Sequence, residues 1–176
     1  MIRSLRASVP LATAGLLLSA VPAHAHAGAL PAGQFQIFLS TDPARCVGWS
    51  QDSPVTPLST PKNRACDSDP TTVWRYDALT RHLVTGDGRC LDVWDGAGIL
   101  EIKPCDAGRA TQMWEATPTR VSWNSLPDGY NSIHHPGRPG RNLQLYAGEG
   151  NSLVISEGDA GAPGEGDRRF GFRVLR

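Results

Sequence analysis

The chain has 176 residues, with 17 basic and 17 acidic side chains, a formal charge of zero and 40 % hydrophobic residues. That is one ordinary domain, with or without a leader, and the neutral balance argues against a nucleic-acid binder, whose footprint is basic. Nineteen Gly and 14 Pro fall short of low-complexity disorder, whereas five Trp and four Cys point to a compact, cross-linked, loop-rich fold.

Residues 1–25 read as a secretory signal peptide. Arg3 and Arg6 precede an apolar stretch from Leu11 to Val21, and Ala23-His24-Ala25 supplies a small-x-small cleavage pattern. Ala25-His26-Ala27 is a second choice. The apolar run is shorter than the roughly 20 residues that span a bilayer. The expectation is a cleaved leader, a short linker at 26–32 and one domain at 33–176, secreted to the extracellular space without membrane insertion. Cleavage takes two Arg and no acid from the 17 of each sign, leaving a formal charge of −2.

Four cysteines in an oxidising compartment read as disulfides rather than metal or redox sites. No two are separated by two to four residues, so no zinc-ribbon spacing exists, and three pairings are open. An internal repeat narrows them. Cys46 and Cys90 are 44 apart, Cys66 and Cys105 are 39 apart, and Trp74 and Trp114 are 40 apart. Each unit runs from Arg-Cys through Cys-Asp to a closing Trp, which makes Cys46–Cys66 and Cys90–Cys105 the natural choice. A third unit without cysteine places Arg141-Asn142-Leu143-Gln144-Leu145 where Arg89-Cys90-Leu91-Asp92-Val93 stands, with Phe170-Gly171-Phe172 near its close. Phe35-Gln36-Ile37 opens the first unit and Tyr130-Asn131-Ser132-Ile133 the third.

In chain order, Gln36–Leu39, Val73–Tyr76, His82–Thr85, Leu100–Ile102, Leu143–Tyr146 and Leu153–Ile155 are strand-sized and bounded by Gly, Pro or Asp. Turn signals fall at Asp87-Gly88, Asp95-Gly96 and Asp128-Gly129. No sustained helical period occurs outside the leader. A closed all-β barrel of short strands follows, since closure removes exposed edges.

The second unit, Gly88-Arg89-Cys90-Leu91-Asp92-Val93-Trp94-Asp95-Gly96 followed by Cys105-Asp106 and Gln112-Met113-Trp114, resembles a ricin B-chain-type lectin repeat with its Gln-x-Trp signature. The resemblance covers roughly residues 33–176, strongest in this unit. It implies a β-trefoil of three pseudo-repeats of about 40–50 residues, with Trp74, Trp114 and Phe172 as core aromatics. It also implies binding of galactose-type or other sugars in shallow pockets, without a cofactor.

In such repeats the Asp of Cys-Leu-Asp accepts sugar hydroxyls, an aromatic two residues before the second Cys stacks on the ring, and a polar pair ahead of the closing Trp completes the contacts. A carboxylate takes two hydroxyl donors in charge-assisted bonds. The sugar-binding candidates here are Asp92, Trp94, Asp95, Glu101, Lys103, Thr111 and Gln112. Lys103 stands in the place of the stacking aromatic, which Trp94 could supply. Asp92 has two readings, a sugar acceptor or a turn-forming acid capping backbone N–H groups, and Gln112 reads as a structural bond to backbone. The first repeat offers Gly48 and Arg64 at the equivalent places. The third offers Gln144 with Tyr146 as a platform. At most one pocket is usable.

His134-His135 reads as a pair of loop histidines and Glu157 to Asp167 as a mobile acidic loop without calcium spacing. Neither Gly-x-Ser-x-Gly nor His-Glu-x-x-His occurs, so no enzyme is expected. Two functions follow: a secreted carbohydrate-binding protein, or a trefoil that has lost sugar binding and holds a secreted or cell-surface protein, as a toxin delivery subunit or protease inhibitor. The second is motivated by the missing stacking residues and by long loops at Pro127–Arg141 and Glu157–Arg168.

Overall fold

The computed structural model describes residues 30–51, 59–67, 69–94, 98–121, 127–138, 140–145 and 153–176. The expected leader, Asp95-Gly96 and Tyr146 lie outside the described residues. Among these residues twelve strands run β1 Gln34–Leu39, β2 Asp42–Gln51, β3 Ser59–Ala65, β4 Val73–Asp77, β5 His82–Thr85, β6 Arg89–Val93, β7 Leu100–Pro104, β8 Glu115–Arg120, β9 Pro127–His134, β10 Arg141–Leu145, β11 Leu153–Glu157 and β12 Phe170–Val174. No described helix is long and apolar enough to cross a membrane.

Four strands form each repeat. The outer pairs close a ring, with β12 on β1, β1 on β4, β4 on β5, and β8 and β12 both on β9. The join of β5 to β8 rests on the His82–Met113 bridge and on Trp114 N–H donating to Arg81 O at 2.8 Å. The inner pairs β2–β3, β6–β7 and β10–β11 are hairpins that cap the barrel. They meet one another at Ser59–Ile102 and Ile99–Val154.

Alternation drives the burial. Phe35, Ile37 and Leu39 of β1 turn inward to meet Leu83, Ile133 and Leu143 in one core. Gln36, on the other face, is buried too, and donates to Cys66 O at 2.5 Å and Thr72 Oγ1 at 2.9 Å. Leu30, ahead of the expected boundary at residue 33, also joins the core.

A single-turn 3₁₀ segment precedes each closing aromatic: Pro70–Thr72 before Trp74, Ala110–Gln112 before Trp114 and Gly166–Arg168 before Phe170. Trp74 and Trp114 are fully buried, and their indoles donate to Val47 O at 2.6 Å and Leu91 O at 2.9 Å. Burying one Trp is worth about 4–6 kcal/mol gross. The third closing aromatic is Phe170 rather than Phe172. Phe170 is fully buried two residues after its turn, as the tryptophans are, while Phe172 packs edge-on to Phe35 from a partly buried position.

Both expected disulfides form, Cys46–Cys66 and Cys90–Cys105, each with a Cα–Cα distance of 5.0 Å. Closing loops of this length stabilises by about 3 kcal/mol per bridge.

The strand at His82–Thr85 has the bounds read from sequence, and other expected strands extend by a residue or two. Asp128-Gly129 is a bulge inside β9 rather than a turn. Gly129 adopts φ 84°, and the β8–β9 register shifts between Pro118 and Arg120. The segment Pro127–Arg141, expected as a loop, is therefore largely strand. In the acidic segment, β11 reaches Glu157 and Ala160 is buried, so part of it is packed.

Phe170→Ala should cost about 3–5 kcal/mol in urea unfolding, and Phe172→Ala clearly less. Equal losses would reverse the assignment of the third closing aromatic.

Candidate functional site

The β6–β7 register sets Asp92 opposite Glu101 and Cys90 opposite Lys103. Leu91, Val93, Leu100 and Ile102 join the hydrophobic core, leaving Asp92 and Glu101 on the hairpin's other face. Two carboxylates directly across a ladder repel, and each has its own cation. Lys103 Nζ pairs with Glu101 Oε2, and Arg109 Nε lies 3.0 Å from Asp92 Oδ2. The acids are buried, Asp92 at 1 % exposure, while Arg109 is 45 % and Lys103 32 % exposed.

The turn before Trp114 supplies the rest. Gln112 Nε2 donates to Asp92 Oδ2 at 3.2 Å and to Pro104 O at 3.0 Å, and its Oε1 accepts from Asp106 N–H at 2.9 Å. Arg109 Nε also donates to Thr111 Oγ1 at 3.1 Å. Asp92 Oδ1 is buried and has no hydrogen-bond partner among the described residues. Such an orphan costs about 1–3 kcal/mol.

The structure thus gathers Asp92, Glu101, Lys103, Thr111 and Gln112. Trp94 follows β6, its N–H bonded to Ile99 O at 2.8 Å and its side chain 56 % exposed. Chain alternation puts it on the Asp92 side of the hairpin. Asp95 lies outside the described residues. Arg109 is the residue that motif reading missed. The signal lay in counting back five residues from the closing aromatic, to Asp69, Arg109 and Glu165, the residues at the N-terminal boundary of the three short turns.

In the other two repeats an arginine from a different place fills the site: Arg64 on β3, opposite Cys46 as Lys103 is opposite Cys90, and Arg168 two residues before Phe170, where Gln112 stands before Trp114. In the first, a Cβ on Gly48 would meet Arg64 Cγ at 2.7 Å, so the arginine stem fills the space a carboxylate would need. Its Nε lies 3.7 Å from Asp69 Oδ2. In the third, Gln144 Nε2 donates to Asp167 Oδ2 at 2.5 Å, and its Oε1 accepts from Ser156 Oγ at 2.5 Å and Arg168 Nη2 at 3.1 Å. Arg168 is itself buried and paired with Glu165. Tyr146 lies outside the described residues. Among the described residues, only in the second repeat does a half-exposed cation pair with a buried carboxylate.

Of the two histidines read as loop residues, His134 belongs to a strand and His135 lies just beyond it, outside any strand but buried. His134 ends β9, and His135 is buried edge-on to Trp114 with ring centroids 6.0 Å apart. His135 Nδ1 accepts from Gly137 N–H at 3.0 Å, which leaves Nε2 to donate to Ala110 O at 2.8 Å. His135 thereby supports the turn that carries Arg109. His82 is buried with Nδ1 3.5 Å from Cys90 Sγ. It forms with Cys90 and Cys105 a close His/Cys group, whose sulfurs are bonded to each other.

No protein-family model matches the chain, and no curated protein sequence matches it. Solved structures do. A mosquitocidal holotoxin superposes with a TM-score of 0.63 at 13 % identity, over 84 % of this chain but only 18 % of the toxin. ThreeFoil, a designed three-fold symmetric protein, matches with a TM-score of 0.62 at 15 % identity, over 81 % of this chain and 99 % of its own. The C-half of an earthworm R-type lectin, in complex with GalNAc, matches with a TM-score of 0.56 at 13 % identity, over 80 % and 97 %. The fold is a β-trefoil. Its three-fold frame is the one the repeats imply, and at these identities the likeness speaks of fold alone.

Burial pushes the pKa of both His82 and His134 below 6.5, because desolvation disfavours the imidazolium. Between that lowered value and 6.5 the unfolded chain binds more protons. Stability is therefore full above about pH 6.5 and falls as pH drops through the folded-state values. Unfolding free energy measured from about pH 7.5 to 5, above the carboxylate range, should decline toward acid, and His82→Gln should flatten part of that decline. An unchanged slope in the variant would contradict a buried neutral His82.

Proposed function

We propose that the protein is a secreted carbohydrate-binding protein of the ricin B-chain type, with one usable sugar pocket on the outer face of the second repeat. The observation that carries this reading is Asp92. It stands at the position the repeat pattern assigns to the sugar acceptor, nearly fully buried, with Oδ1 lacking a partner. A sugar hydroxyl is a donor that fits that atom, and Trp94 offers a ring face at the rim. The closed first and third positions support a single pocket. The earthworm lectin, which holds GalNAc, gives the sugar class to try first. In this reading the protein binds without turning over its ligand.

The test is a glycan panel probed with wild type and Asp92→Ala, with the fold of each checked by circular dichroism. Hydrogen bonds to a charged group contribute about 1.5–3 kcal/mol, so the variant should lose at least tenfold in affinity. Equal binding by both proteins would remove the site from Asp92. No binding by folded wild type would sink the sugar reading and favour the second one, a trefoil that holds a protein partner. The exposed Trp94 and Ile99 at the hairpin tip would be the surface to examine.

A further inference from the structure

We propose that the second-repeat pocket selects anionic glycans, sugars bearing a carboxylate or sulfate, through the terminal guanidinium nitrogens of Arg109 and the ammonium of Lys103. This rests on the reading of that pocket as a sugar site. A pocket for a neutral sugar stacks the ring on an aromatic and exposes its carboxylate acceptor. Here both elements are inverted. The stacking place holds Lys103, and the acceptor lies beneath a cation.

The inversion is built in. Asp92 and Glu101 face each other across the ladder, and each pairs with one cation, Glu101 with the Lys103 ammonium and Asp92 with Arg109 at its inner nitrogen, Nε. Arg109 is held only by Nε, to Asp92 Oδ2 and Thr111 Oγ1. Its Nη1 and Nη2 have no partner among the described residues. The guanidinium thus presents a pair of donors outward from a fixed stem, the arrangement that grips a carboxylate or sulfate through two parallel bonds. Lys103, one residue pair along the same hairpin face, adds a second positive head. The acids of the pocket are the less exposed members of each pair, so the charge offered to solvent is positive. Of the neighbouring acids, Asp106 is turned to its own loop, where Oδ1 accepts from Gly108 N–H at 3.0 Å.

Asp92 then has two tasks. Oδ2 positions Arg109, and Oδ1 becomes reachable when an anionic substituent draws the guanidinium outward. The sugar's hydroxyl satisfies the orphan atom while its acid meets the arginine.

Matched ligands separate this from the lectin reading itself: polygalacturonate against a neutral galactan, and a sulfated galactan against its desulfated form. Binding is measured by calorimetry at low and moderate salt. Wild type should favour the acidic member of each pair by about tenfold, and the preference should shrink as salt screens it. Arg109→Met keeps the apolar stem, and Lys103→Met does the same beside it. Each should remove most of the preference while circular dichroism stays unchanged. Equal binding of acidic and neutral members would overturn the anionic assignment and leave the sugar reading standing. So would tighter neutral-sugar binding by Arg109→Met with no loss for the acidic ligand. Failure of folded wild type to bind any of the four would overturn both.

Discussion

The indole of Trp114 donating to the carbonyl of Leu91 holds the second repeat together. One bond joins the end of the repeat to the middle of its hairpin, inside a core where an unpaired carbonyl or indole N–H would be costly. Because the bond draws the turn Ala110–Gln112 against β6, the residues of that turn arrive over the hairpin's outer face. Trp74 does the same through Val47. Phe170 has no donor to offer and relies on packing in the third repeat. The inward aromatic and the outward site are thus two ends of one device: burial on one side delivers polar groups to the other.

What the device delivers differs by repeat. In the first, an arginine stem lies against the glycine at the acceptor position, and no carboxylate stands at that position. The third repeat has traded the acid for Gln144, which accepts from Ser156 and Arg168 and donates to Asp167, so its hydrogen-bonding capacity is spent internally. The second repeat alone keeps an acid, and it leaves that acid with one satisfied oxygen and one orphan. Natural cores seldom tolerate such an atom without a reason. The other oxygen of the same acid is paired with a long, half-exposed arginine side chain.

Where chemistry repeats, the fold was legible in the sequence. Similar spacing of Cys and Trp gave the units and the disulfide pairing, and strand-sized segments bounded by turn residues, such as His82–Thr85, are strands. Strands held mainly by backbone pairing stayed hidden. Ser59–Ala65 has no apolar alternation, and pairs residue for residue with a β2 that contains Pro and Gly. Asp128-Gly129 carries a turn signal because only glycine takes φ 84° readily, and a bulge in β9 makes the same demand. Phe170 and Phe172 both point inward by alternation, so period alone could not choose between them; the distance from the preceding turn could. Asp92, Lys103 and Gln112 were visible as motif positions. Arg109 was not, since its role comes from where a turn lands rather than from neighbours in sequence. His135 escaped for a like reason, being placed against Trp114 by the end of β9.

A site confined to the second repeat is tested most directly by nitrogen-15 NMR, following arginine Nε–H, glutamine side-chain and tryptophan indole signals during titration with a bound glycan. The expected perturbations fall on Arg109, Gln112 and Trp94, with Arg64, Gln144 and Arg168 unmoved. Shifts centred on Gln144 and Arg168, or spread evenly over the three repeats, would contradict it.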